Sequence, residues 1–300
     1  MRKLTALIAL LLICTLLFGC SKTGGTVVVG AKDYTEQHIL GHILALLIED
    51  NTSLSVSLTM DLSSEVVFAG LTTGAIDLYV EYSGTVYATH LKNYVRRTGT
   101  DEAIDPDEIF GVSKKSLNDD HDIFLMERLG FNNTYIIAVR KETASQYNLR
   151  TISDLAQVSS DFVFGGSSEI LTRSDGIPNL KRVYDMSFKE VKAKDGIARY
   201  TAIINDEVQV TEAYSTDGML LEYELVVLED NKNFFPPYEA AILIRNDTIA
   251  EHPELTTVLN KLTGLLTDDI MRSLNYKVDV LGADPKDVAE AFLRENNLIR

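Results

Sequence analysis

The stretch GAIDLYVEYSGT (74–85) decides the architecture. Ile76, Leu78, Val80 and Tyr82 alternate with Asp77, Tyr79 and Glu81, as strand residues do because successive side chains point to opposite faces. Ser83-Gly84 ends the run as a turn signal, and Thr85 opens a helix. A strand that hands over to a helix delivers its last residues to the carboxyl edge of a sheet, where ligands of open α/β folds bind. Tyr82 and Thr85 are therefore candidate site residues.

Working outward, residues 26–31 (TVVVGA) are too apolar to alternate and read as a buried parallel-type strand. Asp33 with Glu36 marks a helix start, and Ile39, Ile43, Leu46 and Leu47 give that helix one apolar face as far as Asn51. Residues 54–60 form a second strand and 64–73 a short helix that Gly74 ends. Strand, helix, strand, helix, strand is the order of a parallel sheet covered by helices. Beyond Thr85 the pattern predicts a helix over 87–95, a polar loop over 96–107, and helices over 106–117 and 119–128. Two similar strands, YIIAVR (135–140) and AAILIR (240–245), enclose a further series. That series has a strand at 162–164, a Gly-Gly-Ser-Ser loop, a helix to Arg173, a strand around Val191, a helix over 197–205 and a strand over 208–214. Three helices follow, over 254–262, 268–274 and 285–296. The chain thus reads as α/β with two units, the second inserted into the first. Residues 26–133 and 237–300 form one lobe and 134–236 the other, and the YIIAVR-like strands are the hinge crossings.

Residues 1–19 are expected to be a signal segment. Arg2 and Lys3 precede an uncharged stretch over 4–18, shorter than the ~20 apolar residues a membrane-spanning helix needs. It ends in Leu17-Phe18-Gly19-Cys20, which resembles the lipobox of bacterial lipoproteins. Cleavage there would leave Cys20 as a lipid-modified first residue, with 20–25 as a short tether. Cys14 and Cys20 are the 2 cysteines of the chain, so the mature protein would hold one thiol and no disulfide. A net charge of −16, with no basic run longer than Lys114-Lys115, argues against nucleic-acid or anionic-membrane binding, since phosphate contacts need clustered Lys and Arg.

Signatures of catalysis are absent from the sequence: it has no GxSxG, GxxxxGK[ST], GxGxxG or HExxH. His38 and His42 have metal-ligand spacing on a helix, yet no third histidine or cysteine lies nearby, so no metal or cofactor is expected. Asp77 and Glu81 share a strand face and could be the paired carboxylates of a hydrolase. The tyrosines are more informative, with 13 Tyr and no Trp. Tyr82, Tyr135, Tyr214 and Tyr238 all fall at strand ends, and a tyrosine is preferred to Phe or Leu where its hydroxyl stays wet or bonded.

From Val27 onward the chain resembles the substrate-binding proteins of osmoprotectant ABC transporters, those for glycine betaine, carnitine and choline. The resemblance is carried by VVVGAKDYTEQHILGHILALLIED (27–50), GAIDLYVEYSGT (74–85), VTEAYSTDG (210–218) and FFPPYEAAILIR (234–245), and less strongly by SDGIPNLKRVYD (174–185) and LNYKVD (274–279). Where the family tends to have Gly-Gly-Thr, this chain has Leu62-Ser63-Ser64. The resemblance implies a periplasmic-binding-protein-like fold with two lobes, each a sheet flanked by helices. It also implies a tyrosine cage for a quaternary ammonium group at Tyr82, Tyr135, Tyr214 and Tyr238. Such a cation has no N–H to donate, so ring faces hold it where hydrogen bonds cannot. For the ligand's carboxylate the resemblance points to Gln37 and Thr85, with Asn133 as a further candidate. A threonine at 85 favours ligands that carry a carboxylate. A membrane permease and its ATPase are the implied partners. Two other readings stay open, a binding protein for another small amine or amino acid and an extracytoplasmic hydrolase. A lipoprotein that binds no small ligand is a third.

Overall fold

A computed structural model of the chain describes residues 24–91 and 105–300. The expected signal segment, Cys20 and residues 92–104 of the expected helix and polar loop lie outside them. Among the described residues ten strands form two five-stranded sheets, each flanked by helices. The first sheet uses β1 (Thr26–Lys32), β2 (Ser55–Leu62), β3 (Leu78–Tyr82), β4 (Ile123–Asn132) and β10 (Glu239–Arg245), in the order β2-β1-β3-β10-β4. The second uses β5 (Tyr135–Val139), β6 (Val163–Gly166), β7 (Glu190–Ala193), β8 (Val210–Tyr214) and β9 (Val226–Leu228), in the order β7-β6-β8-β5-β9. This is the two-lobed α/β arrangement.

β1 runs parallel to β2 and β3, and β10 is antiparallel to β3 and β4. In the second sheet β6 is parallel to β7 and β8, while β5 is antiparallel to β8 and β9. Every residue of β3 is buried, so the alternation in its sequence does not sort core from solvent. Tyr79 and Glu81 are as enclosed as Leu78 and Val80, because a central strand is covered on both faces. Helix α1 (Thr35–Asn51) packs against β1 and β2, and α2 (Ser64–Thr73) ends at Gly74, whose φ of 82° is the left-handed cap that glycine adopts without strain.

The chain passes between the sheets twice, through residues 133–134 and through 229–238. The two passages are tied together: the Asn133 backbone N–H donates to the Tyr238 carbonyl at 3.0 Å, and the Tyr238 N–H donates to Asn132 Oδ1 at 2.6 Å.

Three local expectations are corrected. The separate helix expected over 119–128 is absent: α3 (Pro106–His121) runs through 119–121 and ends at Asp122 with φ 56°, and β4 follows at once. A bulge opposite β10, where Leu125 to Arg128 faces only Leu243 to Ala241, buries Leu125 and Met126 together and hides the alternation of a strand. Residues 167–176 form successive turns rather than a helix to Arg173, and α4 (Ile177–Tyr184) starts afterwards. That loop folds back so closely that a Cβ on Gly176 would lie 2.1 Å from the Ile170 carbonyl oxygen. Ser83-Gly84 is no turn either: Ser83–Thr85 is already helical and continues into a π-turn, Val86–His90. At the unusual Leu62-Ser63-Ser64, Ser63 caps α2 by accepting from the Val66 N–H at 3.4 Å. Among the described residues no helix is long and apolar enough to cross a membrane.

Candidate binding site

α1 begins without a side-chain cap at Tyr34, and the second residue of the helix, Glu36, turns inward and is buried. Its Oε1 accepts from the Tyr82 hydroxyl at 2.6 Å and from Asn133 Nδ2 at 2.7 Å. Its Oε2 accepts from the Thr216 hydroxyl at 2.6 Å and from Asn275 Nδ2 at 2.9 Å. One carboxylate thus joins α1, the end of β3, the first crossing, the loop after β8 and helix α5 (Asp268–Asp279). Burial raises its pKa above the usual carboxylate value, and the four donors work against that rise.

Beside this junction five tyrosines line one cavity of about 20 Å³: Tyr34, Tyr82, Tyr135, Tyr214 and Tyr238. Tyr34 stacks on Tyr214 with centroids 5.6 Å apart, and Tyr214 meets Tyr135 at 5.3 Å. Tyr238 stands edge-on to Tyr135 at 5.5 Å. The Tyr34 hydroxyl donates to the Tyr82 hydroxyl at 3.0 Å. Burial pushes the hydroxyls of Tyr34, Tyr82, Tyr135, Tyr214 and Tyr238 up, so the rings stay uncharged. A neutral ring with its face toward an enclosed space is an attractive surface for a cation without N–H groups.

The polar wall of the cavity comes from Thr85, Asn133, Ser64, Lys32, Glu169 and Arg173. Arg173 Nη2 donates to Thr85 Oγ1 at 3.2 Å, and its guanidinium grips Asp175 with two bonds of 2.6 and 2.8 Å. The Tyr238 hydroxyl donates to the same Asp175 at 2.6 Å. Burial opposes the Asp175 charge, but the guanidinium and the hydroxyl hold its carboxyl below the usual range. On the other side Lys32 pairs with Glu81 at 2.5 Å and lies 5.2 Å from the Tyr82 ring centre.

Tyr82, Tyr135, Tyr214, Tyr238, Thr85 and Asn133 are therefore brought to one cavity. Gln37 is not: it is buried behind the wall, and its Nε2 donates to the Val80 carbonyl at 3.0 Å and the Tyr82 hydroxyl at 3.1 Å. It holds a ring instead of facing the space. Asp77 and Glu81 do not form a pair, since Asp77 accepts from the Val28 N–H and Thr248 while Glu81 takes Lys32, Tyr79 and His90. His38 lies 3.0 Å from Asp61, His42 is half-buried, and no group of three potential metal ligands occurs among the described residues. Sequence reasoning missed Tyr34, Glu36, Glu169 and Arg173. Tyr34 and Glu36 sit within a quoted motif that does not mark their inward turn, and Arg173 was hidden inside the helix expected at that point.

The chain matches the family model described as the substrate-binding domain of the ABC-type glycine betaine transport system over residues 25–295. It is 34% identical to the carnitine transport binding protein OpuCC of Listeria monocytogenes, covering 99% of this chain and 97% of that protein. It is 35% identical to the ergothioneine transport permease/ergothioneine binding protein EgtU of Helicobacter pylori, over 90% of this chain and 48% of that one. Among solved structures it is similar to one described as a glycine betaine/carnitine/choline ABC transporter, with 35% identity, a TM-score of 0.72, and coverage of 91% of this chain and 99% of that chain.

Proposed function

The chain belongs to the family of substrate-binding domains of ABC-type glycine betaine transport systems, and from that premise we propose that it captures its ligand in the tyrosine-lined cavity between its two lobes. It is an extracytoplasmic substrate-binding protein of the glycine betaine, carnitine and choline importers, and not an enzyme. The single observation that supports the site is the convergence of five tyrosines, drawn from both sheets, the start of α1 and the second crossing, on one buried space. At ~0.5–2 kcal/mol for each ring, such a cage supplies on the order of 2.5–10 kcal/mol, beside the about 8 kcal/mol of a micromolar affinity.

In this reading Tyr34, Tyr82, Tyr135, Tyr214 and Tyr238 hold the quaternary ammonium group. Thr85, Asn133 and Arg173 serve the carboxylate, and Gln37 acts by holding the Tyr82 hydroxyl. The lobes are 26–133 with 237–300, and 134–236, closing about the two crossings. Cys20 carries the lipid anchor after cleavage of 1–19, and a permease with its ATPase receives the loaded protein.

Calorimetric titration of residues 21–300 with glycine betaine, carnitine and choline tests the reading, with Tyr214→Ala and Tyr135→Ala beside the parent. Binding that weakens at least about tenfold in both variants is expected, since each loses a cation–π face. Unchanged affinity in folded variants, or binding of primary amines in preference to quaternary ones, overturns it. A ligand longer than glycine betaine is a second reading, favoured by a cleft of about 470 Å³ that adjoins the cavity across Tyr34, Glu169 and Tyr214. Ergothioneine therefore joins the panel.

A further inference from the structure

Glu169 is the one carboxylate among the residues lining the tyrosine cavity. It rises from the turns after β6, in the second lobe, and reaches across to the first. Its Oε1 accepts from the backbone N–H of Ser64 at 3.1 Å, and its Oε2 lies 3.5 Å from Arg173 Nη1. Ser64 is the first residue of α2, a helix of 10 residues. Its N–H has no partner within the helix and carries part of the positive end of the helix dipole, so it favours an anion. The hydroxyl of the same serine, on a residue 1% exposed, has no hydrogen-bond partner although it borders the cavity. Thr85, which accepts from Arg173, completes the surround.

A helix start, a free buried hydroxyl, a guanidinium and a threonine next to five tyrosine rings are what the anionic end of a small zwitterion would use. In this structure the protein's own carboxylate takes two of them, the helix-start N–H and the guanidinium. Glu169 also borders the cleft of about 470 Å³ outside the cage, and its side chain is 31% exposed, so it has room to swing outward.

We propose that Glu169 is a specificity-determining residue that acts as an internal competitor for the ligand's carboxylate. This rests on the tyrosine cavity being the ligand site. A ligand with a carboxylate must move Glu169 off Ser64 and Arg173 into the cleft before its own anion can sit there. A quaternary ammonium ligand that ends in a hydroxyl or a methyl leaves Glu169 in place. The residue therefore narrows the advantage that the cationic wall would otherwise give to carboxylated ligands over uncharged-tail ones.

The experiment is calorimetric titration of residues 21–300, as the parent protein and as Glu169→Gln and Glu169→Ala, with glycine betaine, choline and tetramethylammonium. Thermal unfolding establishes that each variant is folded. In both variants the affinity for glycine betaine rises about tenfold, the scale of one charge-assisted hydrogen bond no longer contested. Choline and tetramethylammonium gain nothing. Glycine betaine affinity that stays level or falls in the variants overturns the proposal, as does an equal gain for tetramethylammonium. Absence of tetramethylammonium binding to all three proteins is a different failure: it removes the cage reading itself, and this inference with it.

Discussion

Glu81, at the penultimate position of β3, carries its charge where burial opposes it. Both oxygens are engaged: Lys32 approaches Oε1 at 2.5 Å, while Tyr79 and His90 meet Oε2 at 3.0 Å. Burial would raise its pKa, but Lys32 and His90 outweigh burial and bring it from 4.5 down to about 2. A carboxylate depressed in the folded state contributes stability that is present above its unfolded value and lost as pH falls toward the folded one. This group therefore contributes on the order of 3 kcal/mol near neutrality, lost between pH about 4.5 and about 2. Urea unfolding of the parent and of Glu81→Gln across that range should show a variant weaker by about 3–5 kcal/mol near neutrality, because Lys32 is left buried without its counter-charge. The gap should close as the pH drops; a gap independent of pH would remove the charge from the explanation. At this scale Tyr82, Tyr135, Tyr214 and Tyr238 stood out at strand ends and were drawn into one site only by the family resemblance, while Tyr34, before a helix, was not. Glu36 and Glu169 were not, since in a chain with 44 acidic residues nothing in the sequence marks a carboxylate as the one turned inward.

The junction of β3 with the helical turn that follows it packs closely against the cage. A Cβ on Gly84 would come within 2.6 Å of Tyr238 Cδ1 and 2.7 Å of the Pro237 carbonyl oxygen. Gly84→Ala must displace either a ring of the site or the second crossing. It is expected to weaken ligand binding at least about tenfold and to destabilise by the 1–3 kcal/mol typical of overpacking. Gly111, inside α3, meets nothing within 4 Å. Gly111→Ala should leave binding unchanged and stabilise by about 0.5–1 kcal/mol through helix propensity. Calorimetry and thermal melts on the pair compare the two, and equal behaviour would contradict the role given to the junction. The elements most plainly written in the sequence are those whose pattern and caps agree: α2 runs from Ser64 to Thr73 between Ser63 and Gly74, as expected. β4 was misread because its bulge places Leu125 and Met126 side by side in the core, a spacing that suits a helix face as well as an irregular strand. The turns of 167–176 were misread because their shape is set by distant partners, Arg173 with Thr85 and Asp175 with Tyr238, which no local pattern announces.

Across the whole molecule the two lobes meet through ring contacts, Tyr34 on Tyr214 and Tyr238 on Tyr135, and through directed bonds. Thr216 donates to Glu36, Arg173 to Thr85, the Ser64 N–H to Glu169, and Ser174 Oγ to the Ala88 carbonyl. Thr216 is buried, and its bond to a carboxylate is worth about 1.5–3 kcal/mol, present only while the lobes meet. Thr216→Val keeps the shape and removes the donor. It should shift the molecule toward a more extended form in small-angle scattering and weaken ligand binding about tenfold; identical scattering and affinity would show that Glu36 does not fasten the lobes. The two-sheet plan was readable because each unit repeats its own strand-helix order, whereas the bonds between units join residues up to 180 positions apart. The cavity of about 20 Å³ has a consequence for time as well as for affinity. That volume admits about one water, and a trimethylammonium group is several times larger. The rings must part for the group to enter and again for it to leave. Exchange is then clocked by the separation of the lobes: a rival solute in the medium cannot hurry the first one out, and dwell time measures the interval between openings.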